Sequence, residues 1–200
     1  MKGRDSKPHI GILGRRNNGK SSLINSLAGQ EVAIVSRVAG TTTDPVKKSI
    51  EIDGIGPAIM VDTAGMDDIG ELGSKRIKRA KDTIRTIDLG ILVLAQNRFE
   101  EPEREIIRLL EEWEVPFVIV HNKSDLEPLR EETMEAIPEP HRGRVLSYST
   151  VDERNKEELI GMLRRTIPET AYLSRSLVGD IINQGDLVLM ITPIDAEAPE

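Results

Sequence analysis

Two hundred residues, 38% apolar and 30% charged, describe an ordinary globular chain, long enough for one domain of roughly 150 to 175 residues plus an extension. A formal charge of -7 and only five aromatic residues argue against a nucleic-acid surface, which needs a basic face and stacking platforms. The absence of cysteine excludes disulfides, thiolate zinc sites and cysteine-ligated iron-sulfur clusters from these residues, no apolar run approaches the roughly 20 residues that span a bilayer, and the polar start Met1-Lys2-Gly3-Arg4-Asp5 implies a cytoplasmic address and no membrane contact.

In chain order, His9-Ile10-Gly11-Ile12-Leu13 reads as a strand, followed by a glycine loop and a helix from residue 20 to about 28. A polar stretch runs through Thr43. Residues 49–52 and 58–61 then flank Asp53-Gly54, a turn signal that predicts an antiparallel hairpin. Further strands are predicted at 90–94, 116–120 and 144–147, and helices at 74–86, 101–112 and 152–165. Lys75, Arg76, Lys78, Arg79, Lys81 and Arg85 crowd the first of these helices; a solvated face explains them, and so does a dock for an acidic partner or RNA. After Pro168 the pattern changes to apolar runs at 177–182 and 187–191, separated by Asn183-Gln184-Gly185-Asp186. We expect residues 1–170 to form one domain, and 171–200 a linker with the first strand of another, a last edge strand of the same sheet being the alternative. Strands alternating with helices imply a three-layer α/β fold. Its six-stranded sheet is mostly parallel with one antiparallel strand, and a ligand belongs at the carboxyl ends of the strands.

Gly14-Arg15-Arg16-Asn17-Asn18-Gly19-Lys20-Ser21 lies between an apolar strand and an amphipathic helix, where a phosphate-binding P-loop must lie. Its glycines let backbone amides, with those of Asn18 and Ser22 nearby, face phosphate oxygens; Lys20 reaches the β- and γ-phosphates and the Ser21 hydroxyl ligates magnesium. Asp62-Thr63-Ala64-Gly65 closes a strand, so Asp62 points toward that magnesium and the Gly65 amide toward the γ-phosphate. In the loop Gly40-Thr41-Thr42-Thr43-Asp44, Thr42 is the candidate second hydroxyl ligand, against the plainer reading of a polar surface loop.

Asn122-Lys123-Ser124-Asp125 follows an apolar strand and selects the base. The Asp125 carboxylate accepts from guanine N1 and N2, donors that adenine lacks, which predicts GTP and GDP rather than adenine nucleotides. Asn122 would tie loops together, Lys123 would lie across the base, and Ser149-Thr150 would offer amides to guanine O6. Catalysis is less legible. Met66 stands where a glutamine orients water in Ras-type enzymes, so slow hydrolysis is expected. Asn17 has two readings, a carbonyl holding potassium beside the phosphates or a simple loop cap; Asp67, Asp68 and Glu71 likewise either position water or form a solvated loop. His9, His121 and His141 are not spaced as a metal site and read as structural.

Asn17-x-Gly19-Lys20-Ser21-Ser22-Leu23-Ile24-Asn25 followed by Gly40-Thr41-Thr42 resembles the TrmE and Era group of GTPases, which implies a Ras-like P-loop NTPase fold. The P-loop through Ser22, Gly40-Thr41-Thr42-Thr43-Asp44-Pro45-Val46 and residues 62–73 resemble HydF, the GTPase family of FeFe-hydrogenase maturation, more narrowly, because Thr43 stands where TrmE and Era proteins usually carry arginine. Leu177-Val178-Gly179-Asp180 and Thr192 through Pro199 resemble that family's passage into its dimerisation domain. The resemblance implies a GTP-regulated scaffold that forms a homodimer and exchanges a di-iron precursor with radical-SAM maturases and the hydrogenase. An RNA-directed TrmE- or Era-like enzyme and a docking module with negligible turnover are the competing readings.

Overall fold

The computed structural model describes residues 7–28, 46–62 and 81–172. In order these form β1 (His9–Leu13), α1 (Lys20–Leu27), β2 (Val46–Ile52), β3 (Gly56–Asp62), β4 (Leu89–Leu94), α2 (Glu101–Glu112), β5 (Phe117–His121), α3 (Glu131–Ala136), α4 (Glu139–Arg142), β6 (Val145–Ser147), α5 (Lys156–Thr166) and a 3-10 turn, Glu169–Tyr172. The strands make a six-stranded sheet in the order β2-β3-β1-β4-β5-β6. Only β2 runs antiparallel, against β3; the other pairs are parallel.

Because successive side chains of a strand face opposite ways, a sheet covered on both faces needs apolar residues at nearly every position. Leu89, Ile91 and Val93 of β4 therefore join one core cluster and Leu92 and Leu94 the other. The first cluster contains Leu23 and Leu27 of α1 with Leu159 and Leu163 of α5; the second contains Ile107 and Leu110 of α2. Leu159 and Leu163, one helical turn apart and both fully buried, each contribute about 2 kcal/mol by leaving water. Helices on both faces of the sheet are the expected three layers.

Some boundaries differ from the sequence expectation, each for a local reason. The hairpin ladder extends to Val46 opposite Asp62 and Ile52 opposite Gly56, so both strands are longer than expected. The last helix starts at Lys156 and not at 152: Asp152 accepts the Arg154 N–H at 3.1 Å, and Glu153 and Asn155 take left-handed φ angles of 49° and 65°, which no α-helix accommodates. The short α3 and α4, unassigned from sequence, are separated at Pro138, whose missing N–H prevents one continuous helix. Of the basic helix expected at 74–86, only its end is described, helical at 81–84; Lys75, Arg76, Lys78 and Arg79 lie outside the described residues. The apolar runs after 172 also lie outside them, while Ala171 packs into the first cluster.

Candidate functional site

β1 delivers the chain to the carboxyl edge of the sheet, where residues 14–19 turn back into α1. Gly14 has φ +131°, and a Cβ there would lie 2.4 Å from the Val93 carbonyl oxygen of β4. Gly19 has φ +86°, and a Cβ there would meet Asn122 Nδ2 at 2.3 Å. Neither position accepts a side chain. Asn18 Nδ2 donates to the same Val93 carbonyl at 2.7 Å, clamping the loop to the end of β4. Lys20 is buried, and its ammonium donates to the carbonyls of Gly14 at 2.7 Å and Arg15 at 2.8 Å. The loop thus curls around its own lysine. Gly19 caps α1 with no side-chain hydrogen bond, and the first turn carries no acidic residue, so its positive end is not neutralised locally. Ser21 and Ser22 are exposed in that turn.

Arg15 faces elsewhere. Its Nε and Nη2 donate to the two carboxylate oxygens of fully buried Glu103 at 2.7 and 2.9 Å, and Nη2 also donates to Glu100 at 2.8 Å. The Glu103 hydrogen bond, foremost, raises the guanidinium pKa above its already high ordinary range, and Arg15 in turn lowers that of the Glu100 carboxyl. Glu103 also accepts the Glu100 N–H at 2.9 Å, closing the first turn of α2.

The second half of the site comes from the ends of β5 and β6. Asn122, fully buried, donates from Nδ2 to the Asn18 carbonyl at 2.9 Å. Lys123, at φ 62°, sends its ammonium to the Asn17 carbonyl at 2.7 Å. Ser149 Oγ donates to Asp125 Oδ1 at 2.7 Å and receives the Val151 N–H at 3.2 Å. Asn122 Oδ1 finds no hydrogen-bond partner among the described residues, a buried acceptor inside this cluster. The loops carrying Asn17, Asn18, Lys20, Asn122, Lys123, Asp125, Ser149 and Thr150 therefore form one contiguous region.

Asp62 is the last residue of β3, opposite Ile12 near the end of β1, which puts its backbone beside the P-loop strand. Thr42, Gly65, Met66, Asp67, Asp68 and Glu71 lie outside the described residues. The histidines serve separate corners. The His9 backbone N–H donates to Asp88, His141 Nε2 bonds Glu111 at 2.9 Å, and the ring of His121 is buried without a partner among the described residues. No three His, Asp or Glu among the described residues group as a metal site. A magnesium ion shared between hydroxyls and nucleotide phosphates needs no such group, and exposed Ser21 beside Lys20 suits it. Sequence reasoning missed the Arg15–Glu103 pair and Tyr148, whose hydroxyl lies 2.5 Å from Ser26 Oγ of α1. No pattern signalled either contact; the only hint was an aromatic residue, rare in this chain, directly before Ser149.

The chain is similar to known proteins in sequence and in fold. The family described as 50S ribosome-binding GTPase matches residues 9–123. The chain is 33% identical over 193 residues to the tRNA modification GTPase MnmE of Histophilus somni (strain 2336), covering 89% of this chain and 40% of that protein. It is 39% identical over 123 residues to the GTPase Der of Kosmotoga olearia, covering 58% and 28%. The chain spans two fifths or less of these curated relatives. Among solved structures, Aquifex aeolicus Era bound to GDP.AlF4- superposes with a TM-score of 0.60 at 26% identity, covering 81% of this chain and 57% of that one. Era in complex with MgGDPNP and a 16S ribosomal RNA segment gives 0.61 at 25% identity, covering 83% and 58%.

Proposed function

We propose a role that starts from one premise: the chain belongs to the 50S ribosome-binding GTPase family and is a P-loop GTPase of the TrmE/Era-like kind. The observation that carries the rest is Lys20 held by the Gly14 and Arg15 carbonyls below an uncapped helix end, with Asn122 and Lys123 bonded to the same loop. In this reading the phosphate and base sites share one set of hydrogen-bonded loops. Lys20 exchanges loop carbonyls for β- and γ-phosphate oxygens, and the amides of Asn18, Gly19, Ser21 and Ser22 bind the remaining ones. Asp125, oriented by Ser149, accepts from guanine N1 and N2; Lys123 lies along the base, and the Ser149-Thr150 amides meet O6. Magnesium, held by Ser21, Thr42 and Asp62, would screen the phosphate charge, while the Gly65 amide meets the γ-phosphate.

Hydrolysis of GTP to GDP and phosphate is slow in this reading, since Met66 offers water no hydrogen bond, leaving that task to Asp67 or Asp68. Potassium, held by the exposed Asn17 side chain beside the phosphate oxygens, would supply the missing positive charge. Arg15 is committed to Glu103 and Glu100 instead, which supports that division of labour.

The decisive experiment is base selectivity. Asp125→Asn should turn the preference from GTP toward xanthosine triphosphate, whose 2-oxo group accepts where guanine's amino group donates. Unchanged GTP affinity with no gain for the xanthine nucleotide refutes the placement of the base.

The finer role is the switch domain of an FeFe-hydrogenase maturation scaffold, with homodimerisation, radical-SAM maturases and the hydrogenase as partners. Thr43-Asp44-Pro45-Val46 after Gly40-Thr41-Thr42 and the tail motifs support it. Restoring hydrogenase maturation in cells lacking the gene, with the full-length protein but not with its Lys20→Ala form, tests it. The second reading is action on RNA, favoured by the match to tRNA modification GTPases over 89% of the chain. Salt-sensitive RNA retention in a filter-binding assay would favour it over the first.

A further inference from the structure

Tyr148 is fully buried in the core cluster that holds Leu23 and Leu27 of α1. Its hydroxyl lies 2.5 Å from Ser26 Oγ, and Ser26 Oγ donates to Glu153 Oε1 at 2.9 Å. Lys156 Nζ bonds both oxygens of Glu153 at 3.0 Å and, with Ser26, lowers that carboxyl's pKa, so it stays ionised and accepts only. Ser26 has one hydroxyl proton and gives it to Glu153. The proton between Tyr148 and Ser26 must then come from the phenol, which burial keeps protonated. The chain has a direction: Tyr148 to Ser26 to Glu153.

The backbone of the same residue is held on its other side. Its N–H donates to the His121 carbonyl at 2.8 Å and its carbonyl accepts the Ser124 N–H at 3.1 Å, bracketing Asn122 and Lys123. Its neighbour Ser149 holds Asp125. One residue is thus tied by its side chain to the helix that begins at Lys20 and by its main chain to the loop that ends at Asp125. A nucleotide separates base from phosphates by a nearly fixed span. A site gripping both ends needs its two halves fixed at that span.

We propose that Tyr148, through its hydrogen bond to Ser26, is a positioning residue for base selection, holding Asp125 at a set distance from the phosphate-binding turn of α1. This rests on the base reading of Asp125 given above. The bond adds to discrimination between guanine and bases that lack its 2-amino group. A buried tyrosine with a packing role alone would affect all nucleotides equally.

The test measures the affinities of the 200-residue chain for GTP and for inosine triphosphate, which lacks the 2-amino group. Tyr148→Phe keeps the ring and deletes the bond; GTP affinity should fall about fivefold, as for one weakened hydrogen bond between Asp125 and the base, and inosine triphosphate affinity by clearly less. Ser26→Ala removes the same link together with the Glu153 bond and should act the same way on selectivity, and the double variant should do little more than Ser26→Ala alone, because the Tyr148–Ser26 link is shared. If Tyr148→Phe does not fold, Ser26→Ala carries the measurement. Parallel losses for the two nucleotides, or no loss, overturn the proposal. Asp125→Asn is the control: failure to favour xanthosine triphosphate overturns the base reading, whereas success there with an unmoved guanine-to-hypoxanthine ratio overturns only the role of Tyr148.

Discussion

Arg15 grips Glu103 at two points, Nε to Oε1 at 2.7 Å and Nη2 to Oε2 at 2.9 Å, although 88 residues separate them in sequence. The Glu103 side chain is 1% exposed, so the first residue after Gly14 anchors the phosphate loop to the start of α2 through a desolvated carboxylate. Arg15→Ala would leave that charge buried and uncompensated and should cost about 3 kcal/mol in urea unfolding. Arg15→Lys keeps the charge but not the two-pronged geometry and should lose less. Identical unfolding midpoints for the three proteins would show that the pair contributes nothing.

Lys20→Ala and Ser21→Ala should each abolish magnesium-dependent GTP hydrolysis in single-turnover measurements. The first removes the positive charge that the Gly14 and Arg15 carbonyls now hold in place, and the second removes a hydroxyl from the exposed first turn of α1. Full turnover in either folded variant would remove the P-loop from the reaction.

GTP hydrolysis should be faster in potassium than in sodium at equal ionic strength, and Asn17→Ala should erase the difference while leaving nucleotide affinity largely intact. Lys123 fixes the Asn17 carbonyl at 2.7 Å and the residue sits at φ 65°, so its main chain is set while its side chain is exposed. Equal rates in the two salts for the unmodified domain would sink the idea and direct attention to Asp67, Asp68 and Glu71, or to a residue donated by a partner.

Burial lowers the pKa of His121 from its ordinary 6.5, outweighing the pull of Glu127 in the other direction. The unfolded chain therefore binds a proton near pH 6.5 that the folded chain refuses. Stability should fall as pH drops below about 6.5, by at most about 1.4 kcal/mol per pH unit, and level off below the folded value. His121→Leu should flatten that part of the stability profile between pH 7 and 5. A variant with an unchanged slope would assign the acid sensitivity to other groups.

Much of this was legible because it is local. Apolar runs placed between helical patterns marked the strands of a sheet covered on both faces, Asp53-Gly54 marked the hairpin, and Gly14 and Gly19 stand where the backbone must turn with positive φ. The P-loop and Asn122-Lys123-Ser124-Asp125 motifs could be read for the same reason: each needs particular residue types within a few positions, at a strand end. Boundaries set by competition were harder. Asp152 looks like a helix-starting residue, yet its side chain accepts the Arg154 N–H, and α5 begins only after Asn155, its capping residue.

By itself the sequence determined the chain order of the six strands and the α/β class, since apolar runs and turn glycines depend on neighbours along the chain. Only the tertiary structure decided that Arg15 turns to Glu103 and that Tyr148 meets Ser26, 122 residues away. An arginine in a glycine loop and a tyrosine after a strand carry no local pattern naming their partners. Which buried acceptor each reaches is set by how the helices settle on the sheet, where a polar group shut away from water must find one.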